Sequence, residues 1–248
     1  MMPQDQIHPS NELAEKYFNN PVYLNHARYL IDYRAGIISG MLGNSRPVKI
    51  LDIGCGDGSL SSGLLNRSSR LTMLDLSAPM LAYAKAKIPP GLLDRVDFVN
   101  ESFTDWHTEH NYHTILCVGV LAHVPCVDSV VSKIASLLQP GGIAVLEVTD
   151  NRKALSQWFS NVLPMKKLRP GVQPGYKTNP ITAEELIVIA ASVDLHKMRL
   201  FHYNMYVPLS RFCPQWILRA VINLTVDGRL LSRCAVENLI FFQKKIPD

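Results

Sequence analysis

The sequence predicts a doubly wound α/β domain with helices on both faces of a mainly parallel sheet. Three observations carry this. An apolar run, Val48, Ile50, Leu51 and Ile53, stops at the glycines of GCGDG, as a buried parallel strand does on entering a tight turn. A second apolar run ends in Asp75 within LTMLDLS, one strand–turn–helix unit beyond Asp52, where a carboxylate accepts the hydroxyls of a ribose. Strand and helix periods then alternate as far as Asp150.

Length and composition agree with that class. The 248 residues, 47% apolar and 19% charged, suit one domain carrying insertions: a helical cap over residues 1–46, a nucleoside-binding core over 47–150, and insertions over 151–180 and 207–237. The net charge of +4 is mild and, apart from LPMKKLRPG, scattered, so no nucleic-acid partner is expected. Five cysteines at no metal-ligand spacing argue against a disulfide framework and for a reducing, cytoplasmic setting. His107, His110 and His113 lie close together without an acid or cysteine at zinc-site spacing, and no metal is expected. MMPQDQIHPS lacks a basic stretch followed by an apolar one, and no apolar run reaches the length of a membrane span.

In chain order, residues 11–42 carry apolar positions at three- and four-residue spacings, which predicts two helices broken near Pro21. After the first strand, residues 59–66 (SLSSGLLN) read as a helix whose amides point back at the ligand. Ser77 caps a helix through Met80, Leu81, Ala84 and Ile88, ended by Pro89, Pro90 and Gly91. Residues 95–99 form a third strand leading into Glu101 and Ser102, and residues 114–118 a fourth, opening into GVLAHVP. Val127 to Leu138 repeats with helical period until QPGG stops it before a fifth strand at 143–148. Thr182 and Glu185 make a capping box for a helix over 183–192, and strands follow at 195–206 and 239–244.

The glycine spacing narrows the ligand. A dinucleotide fingerprint would place its third glycine at position 59, where this chain has Ser59; the pattern here is DxGxGxG. Together with LDLSAPML and LLQPGGIAVLEV, it closely resembles the class I S-adenosylmethionine (SAM) dependent methyltransferases over residues 48–150. The resemblance implies a Rossmann-like seven-stranded sheet in the order 3-2-1-4-5-7-6 with strand 7 antiparallel, and SAM as cofactor. It implies donor contacts at Asp52, Gly54, Gly56, Asp75, Leu76, Met80, Glu101, Ser102 and Cys117. It also implies an arginine holding the donor carboxylate, for which Arg28 and Arg34 are candidates. Glu101 stands where aspartate is commoner, and Tyr112–His113 where similar enzymes often begin the fourth strand with an acid. Cys55 and Cys117 read as small packed side chains.

Methyl transfer from a sulfonium is an in-line displacement, so the protein must align the acceptor, exclude water and, for a hydroxyl, remove a proton. His123, just after the fourth strand, is the candidate general base; its alternative is a packed histidine holding the loop. The aromatics Tyr17, Trp158, Tyr176 and Trp216 are expected to wall an apolar acceptor pocket. They suit a homodimer interface as well, and Lys166, Lys167 and Arg169 permit weak docking on an anionic membrane surface. Three functions follow: a small-molecule methyltransferase, with oxygen favoured over nitrogen or carbon; an NAD(P)-dependent oxidoreductase, against which Ser59 counts; and a SAM-binding module without catalysis.

Overall fold

The computed structural model describes residues 28–42, 48–150, 181–204, 213–226 and 234–247. In chain order these form α1 (Arg28–Leu42), β1 (Lys49–Ile53), β2 (Arg70–Leu74), α2 (Ala78–Lys87), β3 (Val96–Val99), β4 (Tyr112–Cys117), α3 (Val127–Leu137), β5 (Leu138–Thr149), α4 (Ala183–Ala191), β6 (Leu195–Tyr203), α5 (Gln215–Thr225) and β7 (Glu237–Lys244). The strands make one seven-stranded sheet, β3-β2-β1-β4-β5-β7-β6. β1 to β5 run parallel, and β7 is antiparallel to both β5 and β6. The fold, the strand order and the antiparallel seventh strand are those that the resemblance implied.

The central strands are apolar on successive residues because both faces are covered. Leu51, Ile53, Ile115, Ala144 and Leu146 pack with α3 and α4 on one side; Ile50, Leu71, Met73, Leu116 and Val145 pack with α1 and α2 on the other. At the far edge, Leu218 and Ile222 of α5 bury against Tyr29 of α1. Ser77 caps α2 by accepting from the Met80 amide at 3.3 Å. Thr182 and Glu185 complete their capping box at 3.1 and 2.8 Å, a device worth about 1 kcal/mol in such helices. Among the described residues no helix is long and apolar enough to cross a membrane.

Two expectations need correction. The helix expected over residues 59–66 is a single 3-10 turn, Ser62–Leu64. Its serines are engaged elsewhere: Ser59 accepts from Lys87 and Arg28, and Ser61 donates to Asp52. With Gly63 added, local helix propensity loses to these side-chain bonds. The glycines of QPGG do not precede the fifth strand but lie within it. β5 begins directly after α3, with Leu138 buried opposite Tyr112, and the ladder shifts register before Thr114 pairs with Ile143. Gly141, at φ 76°, absorbs that irregularity. The first helix of the N-terminal cap and residues 151–180 lie outside the described residues.

Candidate active site

The cradle forms where β1 and β2 end. Gly54, Gly56 and Gly58 have φ of 64°, 53° and 71°, so the chain after Ile53 turns in a conformation that L side chains rarely adopt. The Gly54 and Cys55 amides both donate to the Leu74 carbonyl, at 2.7 and 3.1 Å, which ties the turn to the end of β2. Space matters as much as φ at Gly54, where a Cβ would lie 2.4 Å from Val120 Cγ2. The glycine turn and the loop after β4 are therefore in direct contact. A Cβ on Gly56, by contrast, would meet nothing within 4 Å; that residue borders open space where a ligand's backbone-hugging part fits.

Asp75 stands beside this space. Its Oδ2 accepts from the Gly56 amide and its Oδ1 from the Ser77 amide, both at 2.8 Å. Each oxygen retains a lone pair for a ligand hydroxyl. Burial raises its pKa, opposed by those two amides. Asn100, which the sequence reading did not single out, donates to the carbonyls of both Asp75 and Leu76 at 2.9 Å and so fixes the pair. Asn100 follows β3 directly, at the position from which one side chain can bridge to the end of the neighbouring strand.

Asp52 lies beneath the turn rather than in it. It is 1% exposed, and its Oδ2 accepts from the Ser61 hydroxyl at 2.5 Å. Burial pushes its carboxyl up to about 7, opposed by the Ser61 hydrogen bond and reinforced by the charges of Asp75 and Asp57. At the outer lip, burial would raise Asp57, but bonds from Lys87 and Ser59 prevail and hold it below the ordinary range. Arg28 joins this group, donating to Ser59 Oγ at 3.2 Å with Nη1 3.7 Å from Asp57 Oδ2. The two candidate arginines are thus separated by position: Arg28 reaches the glycine turn, whereas Arg34 bonds Glu147 and Tyr203 further along the sheet.

Of the other expected donor residues, Met80 is buried on the first turn of α2, and Glu101 is exposed after β3 beside the half-buried Ser102. Lys133 secures the chain that follows, donating to the carbonyls of Phe103 at 2.6 Å, Trp106 at 2.5 Å and Thr104 at 3.2 Å. Cys117 and Cys55 are buried, and burial pushes both thiols well up, out of the range of a nucleophile.

His123 closes a 3-10 turn, Leu121–His123, immediately after the Gly119–Val120 segment that touches the glycine turn; its amide donates to the Val120 carbonyl at 2.8 Å. Burial lowers its pKa, so the ring is neutral at neutral pH and able to take a proton. Trp216 lies on the first turn of α5 and is 70% exposed. Tyr17, Trp158 and Tyr176 lie outside the described residues.

The residues present would suit a SAM-sized ligand: a bare-backbone turn with open space at Gly56, a carboxylate at Asp75 held by two amides, and a guanidinium at the lip in Arg28. The comparisons agree. A family model described as "Methyltransferase domain" matches residues 50–142. The ubiquinone biosynthesis O-methyltransferase of Klebsiella pneumoniae is 35% identical over 190 residues, 73% of this chain and 76% of that protein. Its namesake in Escherichia coli O6:H1 is 32% identical over 178 residues, 69% and 72% of the two chains. Magnesium protoporphyrin IX methyltransferase of Synechocystis, solved with bound SAH, the demethylated product of SAM, superposes with a TM-score of 0.64 over 96% of this chain and all of that one, at 15% identity. The N-methyltransferase NodS of Bradyrhizobium japonicum, also with SAH, gives 0.61 over 94% and 96%, at 15% identity. The sheet order and these relatives together place the chain in the class I SAM-dependent methyltransferases, with SAM as its methyl donor.

Proposed function

We propose that the protein methylates a hydroxyl of a small molecule, with His123 as the general base. The observation that carries this reading is the placement of a half-buried imidazole, its pKa lowered by burial, directly after the loop that packs on the glycine turn. The donor supplies a methyl group already activated by its sulfonium. What remains for the chain is to hold the donor's ribose on Asp75 and its carboxylate near Arg28, to keep water out, and to remove the acceptor's proton as the new O–C bond forms. The proton goes to a ring nitrogen of His123.

A phenol suits this base better than an alkyl alcohol does. The phenol reference of about 10 lies a few units above that of histidine, about 6.5, a gap a positioned base bridges during the reaction. The two bacterial relatives named as O-methyltransferases support oxygen as the acceptor atom.

The test is a panel of phenols, alcohols and amines incubated with SAM carrying an isotopically labelled methyl group, with the product's new bond read by NMR. The reading requires an O-methyl product from a phenol. It also requires His123→Asn to lower kcat by about a hundredfold, with SAH affinity held within about twofold. The acid limb of the wild-type kcat profile should fall below 6.5, the ordinary histidine value, because burial lowers this one, and should vanish in the variant. Exclusive N-methylation, or full turnover by His123→Asn, would overturn the proposal.

A further inference from the structure

Between α1 and the C-terminal strands lies a buried polar cluster that the reaction as described leaves unused. Glu147 is a charged residue at 2% exposure in the apolar strand β5. Its Oε1 accepts from Arg34 Nε at 2.7 Å and from the Tyr203 hydroxyl. Arg34 Nη2 also lies 3.9 Å from Glu237 Oε2, which accepts from Thr149 Oγ1 at 2.8 Å. Among the described residues, two carboxyl groups therefore share one guanidinium, and burial, reinforced by the charge of Glu147, pushes the Glu237 carboxyl up to about 7, which leaves Glu147 as the partner of Arg34.

The second oxygen of Glu147 lies on the side of the loop after β4: a Cβ built on Gly119 would be 3.9 Å from it. Gly119 precedes Val120, the residue packed on Gly54. The glycine turn and this carboxylate thus flank the same short loop: Val120 packs on Gly54, and Glu147 Oε2 lies behind Gly119.

We propose that Glu147 is a specificity-determining residue that favours SAM over SAH by placing a carboxylate one layer behind Gly119, toward the donor's sulfonium. The inference rests on the donor lying over the glycine turn with its sulfur facing the loop after β4. SAM and SAH differ in one methyl group and in the positive charge on sulfur; ribose, adenine and amino-acid contacts are common to both. A buried carboxylate near the sulfur acts on that difference alone. Such a group stabilises the ground state and so does not accelerate the chemical step. Its effect is on exchange: the neutral-sulfur product leaves readily and competes poorly with the donor.

Calorimetry with SAM and with SAH tests this on the wild type, Glu147→Gln and Asp75→Ala. Glu147→Gln keeps the side chain's size and its Oε1 acceptor for Arg34 and Tyr203 while removing the charge. We expect its SAM affinity to fall roughly tenfold more than its SAH affinity, the size of a partly screened charge interaction across several ångströms. An unchanged SAM-to-SAH ratio in a folded Glu147→Gln would overturn the proposal. If that variant does not fold, the wild type decides: SAM must bind more tightly than SAH, and equal or tighter SAH binding contradicts the role. Asp75→Ala separates the two levels of the argument. Loss of both ligands there with an unchanged ratio in Glu147→Gln removes only the role of Glu147, whereas no loss in Asp75→Ala removes the donor placement itself.

Discussion

Removing the carboxylate of Asp75 is the perturbation whose size the geometry constrains best. Both oxygens are held by backbone amides at 2.8 Å, from Gly56 and Ser77, so the group is already oriented and needs little reordering when a ribose arrives. A hydrogen bond to a charged acceptor contributes about 1.5 to 3 kcal/mol, which predicts that Asp75→Ala weakens SAH binding by roughly ten- to a hundredfold. The variant also leaves two amides without their acceptor, a cost to folding of about 1 to 3 kcal/mol, so stability must be measured alongside. Asn100 continues to hold the Asp75 and Leu76 carbonyls in place, and the loss of affinity is then attributable to the side chain. Isothermal calorimetry with SAH on the folded variant is the assay. Binding within about twofold of the wild type would refute the assignment of the ribose to Asp75.

Two further predictions concern the ground beneath the cradle. Asp52 has a folded pKa of about 7 against an ordinary 3.8, so the fold favours its protonated form. The stability this gives is fully present below 3.8 and is lost as pH rises toward about 7. Asp52→Asn should therefore flatten the stability profile of the ligand-free protein between those limits and raise stability at about pH 8 by on the order of 1–2 kcal/mol, read by urea unfolding; a profile as steep as the wild type's would contradict the argument. Gly54→Ala and Gly56→Ala should part company. The first combines a positive φ with a Cβ 2.4 Å from Val120 and should lose stability by more than the roughly 1–2 kcal/mol of backbone strain alone. The second carries the strain without the collision, and its methyl group projects into the ligand's space, so SAH affinity should fall more than stability does. Equal thermal shifts in the two variants would show that Val120 yields freely.

Much of this was legible because the core writes itself into the sequence in short range. β1, β2, β4 and β5 are buried on both faces and so appear as mainly apolar runs, and Gly54, Gly56 and Asp75 stand where the runs of β1 and β2 stop. The capping box at Thr182 and Glu185 is equally local. What the sequence did not disclose depends on partners distant in the chain. Asn100 acts across strands on Asp75; Lys133 reaches from α3 to three carbonyls after β3. Arg34, Glu147, Tyr203 and Glu237 meet only when α1, β5, β6 and β7 are assembled. One signal was available, the single acid in the apolar run AVLEV, since a charge at a buried strand position implies a partner. The misjudged helix over residues 59–66 shows the opposite failure: apolar spacing suggested a helix, while hydroxyl bonds to Asp52, Lys87 and Arg28 decided the conformation.

The most direct test of the whole account is a crystal structure of the complex with SAH and a phenolic acceptor. The account predicts ribose hydroxyls on Asp75, the amino-acid end along Gly54–Gly56 with its carboxylate toward Arg28, and the sulfur facing Gly119. The acceptor oxygen should lie within hydrogen-bond reach of a His123 ring nitrogen, directly or through one water, and in line with the sulfur. SAH bound away from Asp75, or an acceptor oxygen beyond the reach of His123, would contradict it.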